Sequence, residues 1–279
     1  MAWVFSVDIY NEKGFFSLPD RLPTEGELVG NLTSKAQMTT LTNDKELLFC
    51  DGKICQIFQK SKWIVHSELN EYRYWTPAMV SLANGIYIFG GNPDETCLMT
   101  SSEFLPNESK IWVKGPNIPK PGFEEGAAVV ISETEVVLTG CGKKIMKYNS
   151  MTNEWQILKD LQVARRYHSA IFFNGKIILT GGYVPGDWKT VPGTVLDSTE
   201  IYDLEKECSE MGGNLNIKRH DHGIGIIKKN GKSTVIVYGG MSSDGESLSS
   251  IEEWNDKEKK WVVSPLKLKE PKHTFGFCS

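Results

Sequence analysis

No run of about 18 apolar residues occurs in this chain of 279 residues, so no helix is long and apolar enough to cross a bilayer. The stretch from Met1 to Asp8 has neither a basic patch nor a long apolar core, and it reads as the start of a strand rather than a secretion signal. Charge of one sign is also missing. Lys and Arg total 31 against 35 Asp and Glu, a net charge of -4, which excludes nucleic acid as a partner by bulk electrostatics. Sustained helical periodicity is absent. The 5 histidines are scattered and supply no convincing ligand set for copper or another metal, so no cofactor is expected.

Cysteine is present but without pattern. The 6 cysteines, Cys50, Cys55, Cys97, Cys141, Cys208 and Cys278, have neither a zinc spacing nor a disulfide framework. The nearest pair, Cys50 and Cys55, flanks Asp51-Gly52, a strong signal for a two-residue hairpin loop. Such a loop sets Cys50 opposite Lys53 and leaves Cys55 diagonal to it, about 7–8 Å away, which is too far for easy bridging. All six are therefore expected as thiols in a cytoplasmic protein.

What the chain does have is a repeat. Residues 84–91 (NGIYIFGG), 174–182 (NGKIILTGG) and 233–240 (STVIVYGG) share one form: a turn or polar start, a β-branched or aromatic run, then a diglycine. Degenerate copies lie at residues 46–52 and 135–142. Each is followed by a strand ending in an aromatic (Phe58, Phe104, Tyr148, Tyr202, Trp254) and then by a second anchor (Trp63, Trp112, Trp155, Cys208, Trp261). Ile9-Tyr10 and Phe16 form a first copy, and successive anchors from Phe16 onward are 47, 49, 43, 53 and 53 residues apart.

A diglycine, an aromatic and a tryptophan in this order and at this period resemble the kelch-repeat family, specifically the propeller of animal kelch-like proteins without their dimerisation and ligase-binding (BTB and BACK) domains. The resemblance covers essentially the whole chain and is clearest over residues 164–208. It implies an all-β fold, a six-bladed kelch-type β-propeller filling residues 1–279 as one domain. The tail, residues 273–278, reads as an inner strand and the head, residues 3–18, as outer strands. Together they would make one blade shared by the N- and C-terminal strands and leave no open edge. The glycines and aromatics are read as structural: glycine for positive φ and close blade approach, aromatics as wedges between blades.

In the family, partners usually dock on the rim formed by the loops between second and third strands and by those entering each inner strand. Residues 92–101, 183–198 and 241–250 are long loops of the first kind, and the middle one carries Trp188 between prolines. There are five arginines, and four of them, Arg73, Arg165, Arg166 and Arg219, stand just before inner strands. Tyr74, Trp75, Tyr167 and His220 lie among them. Arginine interleaved with aromatics is interface chemistry, and these eight residues with Trp188 are the expected partner-binding set. Backbone hydrogen bonding within the loops is the competing role for the arginines, and His168, His222 and His273, which align, are assigned to it. Glu124 and Glu125 fill the matching loop of the fourth repeat.

These features predict a non-enzymatic, monomeric protein-interaction module that takes a protein or peptide on the loop-bearing rim, with an acidic peptide segment as the candidate ligand. The resemblance implies an adaptor for ubiquitin-ligase or cytoskeletal partners. The alternative is a propeller enzyme that binds a small molecule or sugar acid, a mutarotase or a metal-assisted catalyst, and it rests on fold analogy alone.

Overall fold

The structure is a computed structural model. It describes residues 9–11, 14–16, 37–41, 47–59, 62–73, 77–91, 99–140, 142–186, 191–229, 231–268, 271 and 273. All described regular structure is antiparallel strand. The chain divides into two compact units, the first comprising Met1–Arg21, Gly142–Lys144 and Lys159–Phe275, the second Leu22–Cys141, Ile145–Leu158 and Gly276–Ser279.

The first unit holds two four-stranded meanders. One runs through Ser169–Phe173, Lys176–Thr180, Thr199–Asp203 and Cys208–Met211, the other through Gly223–Lys229, Lys232–Tyr238, Ser250–Asn255 and Lys260–Leu268. Asn174 and Gly175, with φ of 51° and 79°, close the first hairpin, because a two-residue turn that follows strand twist needs positive φ at both positions. The second strand of each meander is buried over its last four residues, as at Val235, Ile236, Val237 and Tyr238. The N-terminal hairpin, Ile9–Asn11 with Gly14–Phe16, adds to the outer strand Lys260–Leu268, with Ile9 opposite Leu268 and Tyr10 opposite Lys267. The head thus extends that sheet from its outer side. The expected pairing of the head with residues 273–278 lies, apart from His273, outside the described residues.

The second unit holds the sheets Ala78–Leu82, Gly85–Phe89, Ser102–Pro106, Val113–Lys114 and Ala127–Val130, Glu135–Gly140, Lys144–Asn149, Glu154–Ile157. A third sheet contains Gln37–Leu41, Leu47–Gln59 and Lys62–Arg73. Its middle segment doubles back. Cys50 and Cys55 have Cα atoms 4.1 Å apart, whereas five extended residues span roughly 16 Å. Gly52, at φ 60°, sits in the reversal.

That reversal corrects the expectation for the cysteines, because Cys50 and Cys55 are joined by a disulfide. The loop lies one residue further along than Asp51-Gly52 suggested, so Cys55 stands directly opposite Cys50 rather than diagonal to it. Moving a two-residue loop along by one position shifts every cross-strand partner by two, which exchanges the two arrangements. Cys208 is free. Cys97, Cys141 and Cys278 lie outside the described residues.

The expected anchors pack as wedges. In the second unit Phe89, Tyr148 and Trp155 form one aromatic cluster, with centroids 4.9 to 5.9 Å apart. Trp112 donates its indole N–H to Ser67 of the preceding sheet (2.9 Å). In the first unit Trp261 donates to Thr199 of the preceding sheet (2.7 Å). In the fifth repeat the tryptophan position falls to Ser209 rather than Cys208. Tyr202 stands opposite Ser209, as Tyr148 stands opposite Trp155 and Trp254 opposite Trp261.

Candidate functional site

Three of the expected rim arginines are internal. Arg73, Arg165 and Arg219 have no exposed surface, and each makes the same set of bonds. Nη1 donates to the first glycine carbonyl of the diglycine, at Gly90 (2.7 Å), Gly181 (2.8 Å) and Gly239 (2.7 Å). It donates again to the carbonyls of Ser101, Ser198 and Ser250. Nη2 donates to the hydroxyls of those serines. A buried glutamate completes each set: Glu103 takes Arg73 Nε at 3.2 Å, Glu200 takes Arg165 Nη2 at 3.3 Å, and Glu252 takes Arg219 Nη2 at 2.8 Å.

The glutamates in turn hold the incoming loop. Glu103 accepts from the backbone N–H of Asn70 and Glu71, Glu200 from Gln162 and Val163, and Glu252 from Asn216 and Ile217. Burial lowers all three arginine pKa values, opposed by the paired glutamate. A guanidinium stays charged in proteins, and here its fork is filled from inside. The expectation that these three reach a partner is corrected: the loop needs internal donors for its carbonyls, and the arginines supply them. Their acid partners were missed. The signal was a Ser-x-Glu triplet at residues 101–103, 198–200 and 250–252, with Asn or Gln three residues before each arginine.

His168 and His222 are buried, as assigned. His222 Nε2 lies 2.8 Å from Thr180 Oγ1. Burial and then Arg165 lower the His168 pKa to about 3, and burial with Arg219 holds His222 well below the usual histidine value. Both are neutral wedges. A Cβ on Gly182 would meet Arg166 O at 2.7 Å and His168 Cβ at 2.9 Å, and one on Gly240 would meet His222 Cβ at 2.6 Å.

The residues between arginine and histidine are partly exposed. Tyr167 and Asp221 have φ of 52° and 50°, a left-handed conformation that is costly for non-glycine residues. Glu125 takes φ 51° in the matching loop of the second unit, where Phe123 replaces the arginine and both glutamates are largely buried. In the first unit this geometry gathers a cluster. Arg166 and Tyr183 exchange backbone hydrogen bonds, at 2.9 and 2.8 Å, and Asp221 N donates to Tyr167 O at 2.9 Å. The His220 ring lies 6.3 Å from Tyr167 and 6.1 Å from Tyr183. Its Nδ1 is 2.7 Å from Asp221 Oδ2, so the carboxylate orients the imidazole. Met241, at the base of the loop of residues 241–250, pairs with the His220 backbone. Arg166, Tyr167, Tyr183, His220 and Asp221 are all partly exposed.

The structure therefore brings together Arg166, Tyr167 and His220 from the expected set and adds Tyr183 and Asp221. Tyr183 begins a small hairpin, Tyr183–Val184 with Thr194–Val195, whose intervening residues include Trp188. Trp188, Tyr74 and Trp75 lie outside the described residues. In the second unit Tyr72 is half exposed, with Lys53 Nζ 4.9 Å from its ring centre.

Comparison with known proteins agrees with this geometry. The Kelch motif family model matches residues 164–216, the segment holding both the Arg165–Glu200 lock and Tyr167. Alpha-scruin of Limulus polyphemus is 23% identical over 44% of this chain and 13% of its own length. Kelch-like protein 15 of Danio rerio is 29% identical over 40% of this chain and 18% of its own. Kelch-like protein 23 of Homo sapiens is 29% identical over 72% of this chain and 36% of its own. The chain thus spans well under half the length of these relatives. The solved structure of YjhT superposes with a TM-score of 0.62 at 12% identity, covering 81% of this chain and 79% of that one, a likeness of fold alone. The chain carries kelch repeats and has the kelch-type β-propeller fold.

Proposed function

We propose that this kelch-repeat chain is an interaction module that captures a protein partner on the rim of its first unit, through Tyr167, Tyr183 and His220. One observation carries the reading: two tyrosines flank a histidine fixed by Asp221, on loops with left-handed, partly exposed residues, while the arginines beside them are consumed internally. Strained backbone at an exposed site is the usual mark of function. Aromatic side chains on a rigid support are the usual anchors of an interface. Arg166, Trp188, Tyr74 and Trp75 are further candidate partner-binding residues in this reading. The six repeats close into one propeller of residues 1–279. In this proposal the module works in the cytoplasm as an adaptor, delivering a client to a ubiquitin ligase or to the cytoskeleton, as the resemblance to kelch-like proteins implies.

The test is affinity capture from a cell extract with the wild-type chain and with a Tyr167→Asn/His220→Ala variant. Asparagine tolerates the left-handed backbone and removes the ring. Proteins retained by the wild type and lost by an equally stable variant support the rim as the site. Identical capture by both rejects it, and co-capture of a cullin scaffold or of actin separates the two adaptor roles.

A further inference from the structure

The loop that carries Arg73 in the second unit is built like the loop that carries Arg219 in the first. Asn70 and Asn216 each donate through Nδ2 to the buried glutamate, Glu103 or Glu252, and to a tryptophan carbonyl, Trp112 or Trp261. The two loops differ in what grips them from the preceding sheet. In the first unit it is the second glycine of a diglycine, with Gly182 N donating to Arg219 O at 2.9 Å. In the second unit Gly52 stands opposite Arg73, and instead of a diglycine it belongs to the reversal that the Cys50–Cys55 disulfide closes. Four successive residues of that reversal hold the loop. Gly52 pairs with Arg73. Lys53 Nζ donates to Asn70 O at 2.8 Å and lies 4.9 Å from the centre of the half-exposed Tyr72 ring. Ile54 pairs with Glu68 and Cys55 with Ser67, whose hydroxyl accepts the Trp112 indole N–H.

We infer that Cys50–Cys55 is a redox-sensitive latch on the segment Asn70–Arg73. As a disulfide it holds the reversal against the loop and fixes Tyr72 and Arg73; as two thiols it lets the reversal open and the loop loosen. The covalent closure removes open arrangements of the reversal, and the loop gripped by residues 52–55 loses freedom with it. The reductant is a dithiol. Its first thiolate attacks one sulfur and expels the other cysteine as a thiolate; its second thiolate then attacks the mixed disulfide and expels the remaining cysteine. The two cysteines take up two protons and two electrons, and the dithiol leaves as a disulfide. Neither cysteine has exposed surface, so attack follows local opening of the hairpin. A reducing compartment leaves the latch open and an oxidising one closes it. The device does not depend on the interaction site of the first unit.

Amide hydrogen exchange of the full chain, read by mass spectrometry, tests this. One sample is treated with oxidised glutathione and the other with dithiothreitol. The peptide covering Asn70–Arg73 is the reporter, and the one covering Asn216–Arg219, gripped by a diglycine, is the internal control. Reduction is expected to speed exchange over Asn70–Arg73 by roughly tenfold or more and to leave Asn216–Arg219 unchanged, and reoxidation should restore the slower rate. Cys50→Ala/Cys55→Ala should exchange at the reduced rate with or without dithiothreitol; if that variant does not fold, the two wild-type samples still decide. Equal rates over Asn70–Arg73 in the two samples overturn the latch. So does a response to dithiothreitol that persists in the double variant or appears equally over Asn216–Arg219, and so does a chain whose Cys50 and Cys55 remain thiols after glutathione treatment.

Discussion

Arg219 Nη2 and Glu252 Oε1 lie 2.8 Å apart with neither side chain exposed. An isolated buried pair often contributes little net stability, but removing one partner strands the other's charge. Arg219→Ala or Glu252→Ala is therefore expected to cost about 3–5 kcal/mol, read as a shift in the chemical denaturation midpoint. Arg219→Lys should also destabilise, because an ammonium cannot reach the Gly239 and Ser250 carbonyls and the carboxylate together. A Glu252→Ala protein as stable as the wild type contradicts the internal role.

Glycine sensitivity should follow what each missing Cβ would strike. Gly182→Ala is expected to cost well above about 1 kcal/mol, since it adds a clash with Arg166 O and His168 Cβ to the strain of φ 101°. Gly245→Ala has φ 78° but nothing within 4 Å, so only the backbone cost of about 1–2 kcal/mol applies. Thermal melts of the two variants check the order, and equal losses would refute the close-approach account.

Acid should weaken the fold through His168 and His222. Both have folded pKa values below the unfolded value of about 6.5, His168 at about 3. Stability from keeping them neutral is complete above the unfolded pKa and is lost as pH falls below it. Each contributes a slope of about 1.4 kcal/mol per pH unit between the unfolded and folded values. Denaturation midpoints measured from pH 7.5 down to 4.5 should fall, and His222→Gln should flatten the slope. A wild-type curve flat across that range contradicts the burial.

Much of this fold was legible in the sequence because the repeat is enforced by backbone needs. Diglycine followed by an aromatic strand names one geometry. The direction of the arginines was not legible. Arg165 and Arg166 are adjacent and identical in type, yet one is fully buried and the other partly exposed. The deciding residue, Glu200, lies 35 positions away. Tyr183 and Asp221 join the site only because strand pairing brings residues 166 and 183 together and sets the turn at residues 220–221 beside Tyr167. The cysteines failed for the smallest reason, a loop register one residue from the expected one.

That disulfide has a direct check. Under denaturing, non-reducing conditions a thiol reagent should label Cys208 and leave Cys50 and Cys55 unlabelled. Reduction should release both thiols and raise the mass of the peptide spanning them by two hydrogens. Labelling of Cys50 without reductant would restore the thiol expectation.

The central claim is that binding lies with Tyr167 and His220 and stability with Arg165 and Arg219. The most direct measurement is titration of a partner captured by the wild-type chain into Tyr167→Asn/His220→Ala, with a thermal melt of each protein beside it. The account predicts an affinity loss of about 2 kcal/mol or more, the hot-spot scale, with the melting temperature nearly unchanged. Unchanged affinity, or a loss that only mirrors a lowered melting temperature, would contradict it.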